Sequence, residues 1–114
     1  MARGDVLRIE LPPVEAGREQ IGRRPAIAVQ SDASGVSLPT LMIIPLTSQL
    51  SALRFAYPLR IEPSALNGLT APSVLLIFQL RAIDQRRILG TLGKLEQEYL
   101  DQLESEMKRL LGLR

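Results

Sequence analysis

A chain of 114 residues, 46% hydrophobic and 23% charged, is long enough for one compact core and too short for two, so a single domain over residues 1–114 is expected. A net charge of +2 identifies no polyanion partner. The absence of cysteine excludes disulfides and thiolate chemistry, and the absence of histidine removes the usual general acid–base and the commonest transition-metal ligand, so neither a metal site nor a cofactor is expected.

The first segment, "RGDVLRIEL", alternates, with Leu7, Ile9 and Leu11 on one face, and stops at Pro12 and Pro13. It carries no apolar signal region, and no apolar run in the chain approaches the roughly 18 residues of a membrane span, so a soluble cytoplasmic protein without membrane contacts is expected. A polar stretch follows, "GREQIGRRP" from Gly17 to Pro25, which passes abruptly into the apolar run "AIAV". On composition alone, Arg24 beside Arg23 and Glu19 is a solvated loop cluster. "LMIIPLTS" is a second near-continuous apolar run of the kind a buried strand shows, and Pro45 within it removes a ladder donor, which predicts an edge or a bulge there. "YPLRIEP" reads as a short alternating strand and "SVLLIFQLRAI" as the most hydrophobic and most central one. In that strand Phe78 shares a face with Leu76 and Leu80 and opposes Gln79. "RRILGTLG" is a last strand or its approach. Turns such as "SDASG" and "ALNGL" separate these runs, with Gly68 suited to a positive φ.

The period changes at the end of the chain. In "EQEYLDQLESEMKRLLGLR", Tyr99, Leu100, Leu103, Met107, Leu110 and Leu111 form one helical stripe. Acids fill its first turns, Lys108 and Arg109 its last, and Gly112 suits a C-terminal cap. Glu96 stands where Ser or Asp would cap better. This helix is expected to cover the open side of a small sheet. Its acids concentrate near the C-terminus, so residues 1–93 carry ten arginines against seven acids; twelve of the fourteen basic residues are arginine, whose planar fork suits phosphate contacts and base stacking.

Five motifs in order then resemble the MazF/PemK (Kid) family of toxins from toxin–antitoxin systems, nearly end to end. They are "RGDV" from Arg3; "G-x-E-Q-x-G-x-R-P" as Gly17, Glu19, Gln20, Gly22, Arg24 and Pro25; "IPLTSQ" from Ile44; "GL...SVLL" from Gly68; and "QLRAID" from Gln79. The resemblance implies a mostly β fold, a small SH3-like barrel of five to seven strands with a C-terminal α-helix. It also implies a homodimer, a cognate antitoxin whose C-terminal segment occupies the RNA groove, DNA contact only through that antitoxin, and metal-independent, sequence-selective cleavage of single-stranded RNA.

RNA supplies its own nucleophile, the 2′-OH, so such an enzyme need only accept that proton, stabilise the phosphorane and assist the leaving 5′-oxygen. The products are a 2′,3′-cyclic phosphate and a 5′-OH. Arg24 matches the family's catalytic arginine; its guanidinium, with a pKa above about 12, is a poor base, so electrostatic stabilisation is its expected role. Thr47 is the expected partner of Arg24 at the phosphate. Glu19 is a candidate base if desolvation raises its carboxyl from about 4.3 toward neutrality. Arg23, Pro25, Ser48, Gln20, Gln49, Gln79 and Arg81 are expected RNA contacts, made to backbone or base edges. Phe78 stands where many family members carry Asp or Glu before the Gln; it either stacks on a base or marks a catalytically weak RNA- or antitoxin-binding member. A further alternative, a toxin of the same fold that poisons DNA gyrase by protein contact, needs a C-terminal helix that presents side chains to a partner.

Overall fold

The computed structural model describes residues 2–11, 22–31 and 37–114. The candidate residues Glu19 and Gln20 lie outside them. Among the described residues the chain forms seven strands and one helix: β1 (Asp5–Leu11), β2 (Gly22–Ala28), β3 (Thr40–Thr47), β4 (Arg60–Ile61), β5 (Ser73–Leu75), β6 (Arg81–Asp84), β7 (Ile88–Lys94) and α1 (Gln97–Leu111). The strands form one curled antiparallel sheet in the order β4-β5-β3-β2-β1-β7, with β6 beside the first half of β3.

Strand alternation sorts the apolar residues onto two faces. Val6, Ile27, Ile44, Leu46, Leu75 and Ile77 point to the inner side, where α1 closes the half-barrel with the fully buried Leu103 and the half-buried Tyr99, Leu100, Met107 and Leu110. Burying a leucine there contributes about 2 kcal/mol. Leu7, Ile9, Leu11, Ala26, Ala28, Leu41, Ile43 and Ile83 form a second cluster on the outer side. The three central strands are thus buried on both faces, which explains why "AIAV" and "LMII" run apolar without a break.

The helix matches its sequence pattern except at its ends. Leu111 is 53% exposed and lies off the buried stripe. Gly112 takes the left-handed conformation at φ 68°, and its N–H reaches the carbonyls of Arg109 and Lys108. Glu96 gives no side-chain cap; its carboxylate instead accepts from Asn67 Nδ2 at 3.0 Å.

Two expectations are corrected. "SVLLIFQLRAI" is not one strand: β5 ends at Leu75, a 3₁₀ turn occupies Ile77–Gln79, and β6 begins at Arg81. Both strands run along the same side of β3, but β3 twists, and the turn lets the chain follow it from Leu46 and Thr47 to Ile43 and beyond. Phe78 therefore lies on a turn and does not share a strand face with Leu76 and Leu80. Pro45 is neither on an edge strand nor at a bulge in the β2 ladder; it forms the last rung with Ala26, and its carbonyl accepts from Leu76 N at 3.0 Å. The N and O of a strand residue face the same side, so its missing donor points away from β2, toward the Ile77–Gln79 turn between β5 and β6, and takes no bond from the β2 ladder.

The open side of the sheet is clasped by the segment between β4 and β5. Asn67 is fully buried, with Oδ1 accepting from Ser64 N and Leu69 N, both at 3.0 Å, and Nδ2 donating to the Glu62 carbonyl at 2.9 Å as well as to Glu96. Lys94 N donates to the Leu66 carbonyl at 2.9 Å, which ties this turn to β7. The approach admits only glycine: a Cβ on Gly68 would collide with the Leu92 carbonyl and one on Gly93 with that of Leu66. Gly68 has φ 71°, the left-handed conformation that its place after Asn67 predicts.

Candidate functional site

The sequence pair Arg23–Arg24 is divided between the two faces of the sheet. In the β1–β2 ladder Arg24 is opposite Ile9, an outer residue, whereas Arg23 is opposite Glu10 and Pro25 opposite Arg8, all on the inner parity. Arg24 is half-buried and already engaged, and its position on β2 is held by a backbone ladder that continues to Gly22. The β2–β3 ladder ends earlier, at Ala26–Pro45, so among the described residues β3 does not pair with β2 from Pro25 back to Gly22.

Thr47 lies on the outer face as well. It pairs with Val74, which belongs to a small outer cluster with Ala52 and Leu76, flanked by Leu53 and Phe55. Arg24 and Thr47 thus stand two residues past the last shared rung, each on its own strand and both on the outer side. The Thr47 side chain is 5% exposed, and its Oγ1 accepts from Gln49 N at 3.2 Å. That bond occupies a lone pair and leaves the hydroxyl proton available for a substrate oxygen. Ser48 and Gln49 follow on the exposed turn beyond the strand.

Phe78 is 38% exposed, and its ring lies 5.1 Å from that of Phe55, tilted at 55°. The Arg54 guanidinium sits over the other ring, 5.2 Å from the Phe55 centroid. Exposed Phe78 and Arg54 therefore flank the half-buried Phe55 ring, an arrangement able to stack on a planar group. The sequence marks Phe55 only as one of four aromatic residues, with Tyr57, Phe78 and Tyr99, available for stacking, and gives no sign of Arg54, because the link to Phe78 crosses more than twenty residues. Gln79 lies on the same 3₁₀ turn as Phe78, half-buried and with a partner of its own. Arg81 shares the outer face but pairs with Ile43, four residues from Thr47 and so about 13 Å along the strand.

Asp84 and Arg86 form a separate ionic turn. The carboxylate accepts from Arg86 N at 2.9 Å and from Arg86 Nε and Nη2 at 3.2 and 3.0 Å, and these bonds lower its pKa to about 2. Among the described residues there is no group of three or more acidic side chains placed to hold a metal ion, and no helix long and apolar enough to cross a membrane.

A curled antiparallel sheet closed by a C-terminal helix places the chain in a class of small, mostly β half-barrel proteins. The sequence pattern described as PemK-like, MazF-like toxin of type II toxin–antitoxin systems matches residues 2–111, and the chain belongs to that family. Endoribonuclease EndoA of Bacillus subtilis is 32% identical over 97% of this chain and 94% of its own, and Endoribonuclease MazF of Staphylococcus saprophyticus is 31% identical over 99% and 92%. Among solved structures, MazF from Deinococcus radiodurans superposes with a TM-score of 0.80 at 24% identity, over 99% of this chain and 97% of that one. A MazE–MazF structure from the same organism matches with a TM-score of 0.76 at 25% identity, over 100% and 97%.

Proposed function

We propose that this protein is the toxin of a type II toxin–antitoxin system and acts as a metal-independent, sequence-selective endoribonuclease on single-stranded RNA. The observation that carries the reading is the placement of Arg24 and Thr47 on one face, at the parting ends of β2 and β3, in a chain of this family. A phosphodiester lying across that opening meets a guanidinium from one side and a hydroxyl proton from the other.

In this reading the 2′-oxygen attacks phosphorus, the bond to the 5′-oxygen breaks, and the products carry a 2′,3′-cyclic phosphate and a 5′-OH. Arg24 stabilises the charge that develops on the non-bridging oxygens, and Thr47 donates a hydrogen bond to one of them. Glu19 accepts the 2′-OH proton, and the departing 5′-oxygen takes up a proton from solvent water. Ser48, Gln49, Gln79 and Arg81 contact backbone or base edges, and the Phe78–Phe55–Arg54 platform stacks a base. The active form is a homodimer, and a cognate antitoxin blocks it. The MazE–MazF structure of a related protein supports a partner of that kind.

The test is incubation of purified protein with a long single-stranded RNA in EDTA. Discrete fragments with 5′-OH ends are expected; intact RNA, or cleavage restored only by added metal, would refute the mechanism. Copurification of gyrase without RNA cleavage would move the protein to the gyrase-poisoning class.

A further inference from the structure

Next to the outer-face site, at the β1–β2 ladder, lies a pocket of ≈ 240 Å³ lined by Arg8, Arg23, Arg24 and Pro25, and closed by Gly68, Thr70 and Leu92. Arg8 is opposite Pro25 in the ladder and Arg23 opposite Glu10, so the two arginines are diagonal neighbours on one face, close enough for both guanidinia to reach one small anion. Both are exposed, and among the described residues neither has a carboxylate within ion-pair distance. By contrast, Arg3, Arg60, Arg86 and Arg109 are each neutralised by an acid. Among the described residues no acid lines the pocket; Glu10, opposite Arg23 in the ladder, lines a different one with Asp84, Arg86 and Arg87.

We propose that Arg8, Arg23 and the Thr70 hydroxyl form a subsite for an RNA backbone phosphate that neighbours the scissile one. The inference rests on the proposed function and adds Arg8 and Thr70 to its site. The geometry gives the route. Among the described residues β3 leaves β2 at Ala26, and Arg24 and Arg23, on opposite faces just beyond, both border the arginine pocket, so an RNA strand held on the outer face at Arg24 reaches it past that end of β2. Two guanidinia supply forked donors to the phosphate, and Thr70 adds a neutral one. The subsite reads no base, so it anchors the strand independently of sequence.

The test measures single-stranded RNA binding against salt in an Arg24→Ala background, where substrate is not consumed. Arg8→Gln is expected to weaken binding about tenfold and to flatten the slope of log affinity against log salt by about 0.7. Arg8→Lys should restore the slope and part of the affinity. Thr70→Val should lower affinity with the slope unchanged, because it removes a hydrogen bond and no charge. Arg86→Gln, the loss of a neutralised arginine, should change neither. An Arg8→Gln protein that melts like its parent and keeps both affinity and slope would overturn the subsite. So would loss of binding to an acidic peptide alone, which would assign the pocket to a protein partner. If Arg8→Gln does not fold, an unchanged affinity in Thr70→Val together with an unchanged affinity and slope in Arg8→Lys/Arg23→Gln overturns it. The two readings fail separately: a protein with Arg24 intact that neither binds nor cuts RNA overturns the proposed function, whereas RNA cleavage with a silent Arg8 overturns only the subsite.

Discussion

The turn around Asn67 and the arginine rim of β1 and β2 lie against each other, since Gly68 and Thr70 form one wall of the arginine pocket, yet they treat polar groups in opposite ways. At Asn67 every side-chain donor and acceptor is matched inside the protein, and the backbones approach until only glycine fits at positions 68 and 93. At the rim Arg8 and Arg23 point to solvent, and among the described residues neither forms an ion pair, although Glu10 stands opposite Arg23 in the ladder. A satisfied, buried network fixes structure and leaves nothing to offer a ligand. An uncompensated cationic rim adds little to stability and keeps its interaction free energy for an incoming anion. The clasp holds the wall, and the rim uses it.

That contrast predicts that stability and RNA cleavage separate cleanly by mutation. The largest effect belongs to the functional side. Arg24→Ala combined with Thr47→Ala should lower kcat by at least about 10³-fold, read by fragment formation, while the melting transition stays within a few degrees. Retained cleavage would remove both residues from the chemistry. On the structural side, Gly93→Ala should destabilise by about 3 kcal/mol in urea unfolding, because its methyl group meets the rigid Leu66 carbonyl, while cleavage per folded molecule persists. Equal losses of stability and turnover would merge the two regions into one. Phe78→Ala should weaken RNA binding about tenfold and broaden the set of cleaved sequences, since a stacked base contributes about 1–3 kcal/mol. Unchanged cleavage sites in a sequenced RNA pool would make the Phe55–Phe78 pair purely structural.

The smallest effect is at Asp84. Its folded pKa is depressed by Arg86, so the stabilisation is present above the unfolded value near 3.8 and is lost as pH falls toward about 2. Asp84→Asn should therefore lower the melting temperature slightly at pH 7 and leave it unchanged near pH 2. A difference that persists at pH 2 would mean that the side chain acts through something other than its charge.

Much of the fold was legible along the chain. Alternation in "DVLRIEL", the apolar runs "AIAV" and "LMII", and the period change after Glu96 placed β1, β2, β3 and α1, because each element buries a face whose spacing is written in adjacent residues. "SVLLIFQLRAI" was misread for the complementary reason: an apolar run carries no mark of where a neighbouring strand twists away, and the break at Ile77–Gln79 follows β3. "YPLRIEP" shrank to the two residues Arg60–Ile61 for want of a longer partner. Of the candidate site, Arg24, Thr47, Ser48, Gln49 and Phe78 were named from motifs, whereas Arg8, Thr70, Arg54 and Phe55 gave no motif to follow.

Residue types and their order are enough to read a small β protein with a C-terminal helix, without the side chains for thiolate or histidine chemistry, and with the ordered motifs of the MazF/PemK family. Those properties follow from residue type and short-range period. It takes the folded chain to show that β2 runs back to Gly22 and so sets Arg23 and Arg24 on opposite faces, that Phe78 rests on Phe55, and that Arg8 and Thr70 line one pocket. These depend on ladder register and on where β3 leaves β2, and register is set by long-range pairing that no local pattern records.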